Sequence, residues 1–131
     1  ETFVTAIGVG ECAGVVIDLV STLVLEAEEK LQWAITSFEN RAYSDSIYHS
    51  YSVFISGAKA LLLDKGINSS TQTGIMRDFD EQYKDSPILE GIESFTDLAL
   101  QINRNEFAQN YLAATVDFVQ RIKLAKEAVQ L

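Results

Sequence analysis

The sequence predicts an all-α fold, an up-and-down antiparallel bundle of about five helices, and three observations predict it. Apolar residues recur every three or four positions in five successive segments, the breaks between segments are short, and no segment alternates apolar and polar residues over a strand's length. Short connections set successive helices side by side in opposite directions. With 131 residues, 47% of them apolar and 22% charged, the chain has the size and composition of one soluble globular domain that buries a core without disulfides or metal.

After Gly8, Gly10 and Gly14 no Gly or Pro occurs until Gly57, which permits a first helix over about 13–40. Its stripe is Val16, Val20, Leu23, Ala27, Leu31, Ala34 and Phe38, with Glu26, Glu28, Glu29, Lys30, Gln32 and Glu39 opposite. Residues 1–12 then read as a connector from a preceding domain, and 13–131 as the bundle. A second helix over about 44–65 turns Ile47, Tyr51, Phe54, Ala58 and Leu61 inward, and Gly66 takes the left-handed position that stops helices. The third starts at the Ser69, Ser70, Thr71 cluster and presents Ile75, Phe79 and Tyr83. Asp85, Ser86 and Pro87 form a cap followed by proline in the first turn, where its missing amide costs nothing. One continuous fourth helix is expected from there, with Ile88, Ile92, Phe95, Ala99 and Ile102 inward. The last helix carries Phe107, Tyr111, Ala114, Phe118, Ile122, Ala125 and Val129, and Arg121, Lys123 and Lys126 near its end complement the helix dipole.

Ten basic and nineteen acidic residues give a net charge of −9, of which −6 falls in residues 1–40. Such a surface repels a phosphate backbone, so nucleic acid is a poor partner. The apolar run over 15–25 is broken by Asp18, Ser21 and Thr22 and falls short of the roughly 20 apolar residues of a membrane span. No basic segment precedes it, so it is not a signal peptide. A single cysteine, Cys12, forms no intrachain disulfide and no cysteine-pair metal knuckle, which fits the reducing cytoplasm. The start at Glu1 reads as an excised piece of a longer protein.

Candidate functional residues are few. His49 is the lone histidine, and Asp45, His49, Ser52, Ser56 and Lys59 step by 4, 3, 4 and 3 along the second helix as one polar stripe. The stripe is read as a solvated face, as a polar seam at a homodimer or partner interface, or as a site with His49 oriented by Asp45. Beside it Ser46, Ser50, Gly57 and Ala60 make a row of small residues that lets a neighbouring helix come close. The Gly8 to Gly14 segment is glycine-rich before a helix but lacks the Lys-Ser/Thr of a phosphate loop and carries Glu11, so it reads as a connector. No metal-ligating set is found.

The Leu31, Gln32, Trp33, Ala34 run and the following Tyr43 to Leu63 segment, with Ala58, Lys59, Ala60, Leu61 and Leu62, resemble the HEPN family over about 25–128. The resemblance implies that Trp33 is a large core residue. Many HEPN domains are metal-independent endoribonucleases with an Arg-x4-6-His motif in a homodimer cleft. Here Arg104 and Asn105 match its start, while Asn110 or Tyr111 stands where histidine is expected, so the motif reads as degenerate. The segments 8–14, 45–51, 70–72 and 100–103 further resemble the C-terminal HEPN-like extension of bacterial sirohaem nitrite/sulfite reductase polypeptides. One cysteine cannot hold a [4Fe–4S] cluster, so sirohaem and cluster would belong to an upstream body and this domain would need no cofactor.

These readings combine into a non-catalytic HEPN-like binding or assembly domain that pairs with itself or with a reductase body. The alternatives are a HEPN-type endoribonuclease or nucleotide-binding domain, and an independent helical scaffold.

Overall fold

Among the described residues the chain forms five α-helices and one 3-10 turn. The computed structural model describes the backbone of residues 9–100 and 108–130, with side chains over 18–100 and 109–126. Along it run α1 (Val9–Glu39), α2 (Tyr43–Asp64), α3 (Gln72–Tyr83), α4 (Phe95–Ala99) and α5 (Ala108–Gln130), with a 3-10 turn at Pro87–Leu89 and no strand among the described residues. No described helix is long and apolar enough to cross a membrane. The side chains of Val16, Ile102, Phe107 and Val129 lie outside the described residues.

The caps expected from the sequence close the helices. Thr71 accepts from the amide of Gly74, and Ser86 accepts from that of Ile88 ahead of the 3-10 turn. At the end of α2, Gly66 has φ +82°, donates to Leu63 O, and is followed by Ile67 donating to Leu62 O, a paired closure that satisfies two terminal carbonyls. Arg41 closes α1 in the same way, with φ +65°: its amide donates to Phe38 O and that of Ala42 to Ser37 O. A side chain in this left-handed region carries a steric cost that glycine lacks.

The fourth helix is where expectation and structure part. Ser86 and Pro87 start a 3-10 turn that ends at Leu89, and Gly91 then takes φ +78°, which no right-handed helix continues through. The chain starts afresh at Ser94, whose hydroxyl accepts from the amide of Asp97. Asp80, on α3, accepts from the amides of Phe95 at 2.5 Å and Thr96 at 3.1 Å and from the Thr96 hydroxyl at 2.6 Å. A carboxylate from another helix thus supplies the acceptors that the first turn of α4 needs. The expected apolar stripe still reaches the core through Ile88, Phe95 and Ala99.

The core has two parts. Phe118 of α5 lies 5.1 Å, ring centre to ring centre, from Phe54 of α2, 5.3 Å from Phe95 of α4 and 6.1 Å from Phe79 of α3, and Tyr111 lies 5.4 Å from Phe54. Every one of these rings is buried, so one aromatic cluster ties α2, α3, α4 and α5 together. Helix α1 contributes no ring to it. It packs chiefly on α2 through the small residues Val20, Ala27 and Ala34, with Ala27, Val53 of α2 and Val119 of α5 forming a separate buried group against Leu31.

Gly57 explains why α5 comes so close to α2. A Cβ built there would collide with Ile122 Cδ1 and stand 3.1 Å from Phe118 Cε2. The close neighbour expected from the row of small residues is therefore intramolecular at Gly57, while Ser46 in the same row donates to Ala34 O of α1 at 2.8 Å. Gly57→Leu should destabilise the domain by about 1–3 kcal/mol or more through overpacking, read as a lower midpoint in urea melts. Arg41→Gly should raise stability by roughly 0.5–1 kcal/mol in the same experiment, because it relieves a left-handed residue in a helix closure.

Candidate functional site

Helix α5 opens where the HEPN-type motif is expected. Arg104 and Asn105 lie outside the described residues. Asn110 is exposed on the first turns of α5, whereas Tyr111 next to it is 1% exposed and donates its hydroxyl to Ala99 O at 2.7 Å. Burial, helped by Tyr51, pushes the Tyr111 phenol well above its ordinary value. A phenol held protonated and spent on a backbone carbonyl has no proton affinity to offer a substrate near neutral pH. The shortest spacing of the motif, four intervening residues, falls on Gln109, which the sequence reading passed over; it is exposed and equally unable to act as a base. The three residues at the histidine place are thus two amides facing solvent and one phenol locked in the core.

Two residues of the polar stripe of α2, Ser56 and His49, meet α1. Ser56 is buried and accepts from Lys30 Nζ of α1 at 3.2 Å, and the Ser52 hydroxyl bonds back to Tyr48 O. His49 is half-buried with its ring edge-on to Trp33 at 5.5 Å and edge-on to Tyr48 at 5.5 Å. Asp45 is exposed and Lys59 half-buried. The polar contact at Ser56 joins two helices of one chain.

Trp33 corrects the expectation drawn from the family resemblance. It is 49% exposed instead of buried. Its neighbour Ala34 holds the inward position on α1, fully buried and accepting from Ser46, so the indole is swung to the flank where α1 meets α2. There it shares a face with Tyr48, 66% exposed, and His49, while Phe38 and Tyr43 meet at 5.5 Å near the α1–α2 turn. This aromatic surface at the tip of the helical hairpin is the feature that sequence reasoning missed.

The basic residues of α5 also act elsewhere than expected. Arg121 holds Asp117 at 2.8 Å through Nε and donates through Nη1 to Ile88 O and Glu90 O, and Lys123 pairs with Glu28 of α1 at 2.8 Å. They fasten α5 to its neighbours rather than complement its C-terminal end. The backbone is helical from Val9 through Gly14, so that part of the glycine-rich segment is not a phosphate-cradling loop; the side chain of Cys12 lies outside the described residues. Among the described residues no three His, Cys, Asp or Glu side chains come together as a metal site.

An all-α bundle with a Trp-Ala helix packed on a Tyr-to-Leu helix has a known counterpart. Residues 20–130 match the HEPN domain family, and the chain belongs to it. It is 28% identical over 121 residues to a protein of Methanocaldococcus jannaschii that carries the name "putative toxin", covering 84% of this chain and 90% of that protein. No solved structure matches the chain.

Tyr111→Phe should cost about 1–3 kcal/mol in urea melts, since it leaves the buried carbonyl of Ala99 without its donor. The pH dependence has a definite sign. The unfolded phenol ionises near its ordinary value of 10.0 and the folded one only above that, so stability present below pH 10 falls as pH rises further. Alkaline melts of Tyr111→Phe should lose that share of the decline.

Proposed function

We propose that the domain is a non-catalytic HEPN binding module whose working surface is the aromatic face shared by α1 and α2. The observation that carries this reading is the half-exposure of Trp33 beside His49 and the open ring of Tyr48. Tryptophan and tyrosine are the residues most enriched at the energetic centres of protein interfaces, and a solvated helix face gains nothing from them. The motif residues of α5 support the same reading, because Gln109, Asn110 and Tyr111 offer no general base. The occupant of the surface is either a second copy of the chain or the body of a longer polypeptide.

That polypeptide is, in this proposal, a sirohaem nitrite/sulfite reductase with the domain as its C-terminal accessory. The resemblance of residues 8–14 and 45–51 supports it, and a reading frame carrying upstream Cys-x5-Cys and Cys-x3-Cys pairs would test it. The domain's own residues then bind and orient, and the redox chemistry belongs to the upstream body.

A second reading has its own support. The likeness to a protein named as a toxin favours a HEPN-type endoribonuclease over a binding module. That reading requires a base from outside the motif, and His49 is the only imidazole in the chain. Incubation with assorted single-stranded RNAs decides between them: the binding reading expects no cleavage, whereas cleavage abolished by Arg104→Ala, with or without His49→Ala, would establish the enzyme. Trp33→Ala should cost about 1–2 kcal/mol in urea melts, well below the roughly 3–5 kcal/mol of a fully buried tryptophan, and a loss in the upper range would return the indole to the core.

A further inference from the structure

A groove of about 610 Å³ lies where α2 ends, floored by Leu61, the ring of Tyr83 and Ile88, and edged by Leu124 and Ala125 of α5. Its size falls within the roughly 300–1,000 Å³ of small-molecule sites, and its walls are mainly apolar with a few charged groups, as such sites are. It is set apart from the aromatic face, since the helical rise from His49 to Asp64 alone spans roughly 22 Å.

Four charged side chains surround it, Asp64, Lys65, Glu90 and Arg121, and they are unequally engaged. Both cations are held by the protein itself. Lys65 Nζ donates to Gln82 O at 3.3 Å and stands 4.3 Å from the centre of the Tyr83 ring. Arg121 spends Nε on Asp117 and Nη1 on two carbonyls, Ile88 O within the 3-10 turn and Glu90 O just after it. The carboxylates are exposed, and neither accepts a hydrogen bond or pairs with a cation among the described residues. Asp64 gets no proton donor from Tyr83, whose hydroxyl is committed to Leu61 O at 3.0 Å. Burial and the nearby Asp64 charge push that phenol up to about 12.

We propose that this groove binds a small organic cation, its apolar body lying on Tyr83, Ile88 and Leu124 and its ammonium at the rim formed by Asp64 and Glu90. The carboxylates come from different walls, one closing α2 and the other following the 3-10 turn, and each offers an ammonium a charge-assisted acceptor. An anion is disfavoured, because turning Arg121 toward it would strip donors from Ile88 O and Glu90 O.

The test uses three ring-matched probes: 1-naphthylmethylamine, 1-naphthalenemethanol and 1-naphthaleneacetate, titrated into the labelled domain and followed by amide chemical shifts. The amine should shift Leu61, Ile88 and Ala125 and bind about tenfold tighter than the alcohol, one charge-assisted contact's worth, with the acetate weakest. The double variant Asp64→Asn, Glu90→Gln should lose that margin while keeping its affinity for the alcohol. Removing two acids of α1 that do not line the groove, Glu29→Gln and Glu39→Gln, should leave the margin intact and so excludes general attraction to an acidic protein. Should the first double variant fail to fold, added salt must weaken the amine and spare the alcohol in the unaltered domain. Equal affinities, preference for the acetate, shifts confined to other residues, or no saturable binding of any probe would each overturn the proposal.

Discussion

The approach of α5 to α2 at Gly57 is the contact on which the rest of the domain depends. With no side chain there, Ile122 Cδ1 and Phe118 Cε2 settle directly against the α2 backbone. Phe118 is thereby delivered to a point from which it touches the rings of Phe54, Phe79 and Phe95, one from each of the other three helices of the aromatic cluster. A glycine inside a helix costs about 1 kcal/mol against alanine, and the gathering of that cluster offsets it. The same placement of α5 brings Arg121 under the carbonyls of Ile88 and Glu90, which shapes one wall of the groove at the end of α2.

Because the cluster is complete without α1, the first helix is an outer layer. It is attached by alanine and valine contacts, by the Ser46 bond to Ala34 O, by Lys30 on Ser56 and by the Glu28–Lys123 ion pair. None of these demands a large side chain, so the rings that α1 carries are left at its edges. Trp33 and Phe38 meet rings of α2, and the pairs they form remain partly open to water. Strain at Arg41 sits in the turn that joins the same two helices. A surface built of half-buried aromatics on a firmly packed helical pair is well suited to recognition, since rigid rings lose little freedom on binding.

Much of this could be read in the chain, and the failures share a cause. The apolar period identified the inward residues of α2, α3 and α5, and local capping chemistry at Thr71, Ser86 and Gly66 marked real boundaries. On α1 the period was the better guide: it placed Ala34 inward, which left no inward position for Trp33 beside it, whereas the family resemblance implied a buried indole. The restart of the fourth helix after Gly91 is capped by Asp80, some fifteen residues away, and Arg121 found its carbonyls some thirty residues away. Local pattern carries no record of such partners. The motif at the head of α5 was legible in its lack of histidine, but the commitment of Tyr111 to Ala99 O became visible only in three dimensions.

Trp33 is the only tryptophan in the chain, so its fluorescence reports directly on whether the aromatic face is covered. The decisive measurement is its emission wavelength and acrylamide quenching in the isolated domain over a range of concentrations and in the product of the full reading frame. The account predicts solvent-exposed emission in the dilute domain, with a blue shift and reduced quenching either as concentration rises or in the longer polypeptide. An indole equally exposed under all of these conditions would contradict the claim that this face is the domain's binding surface.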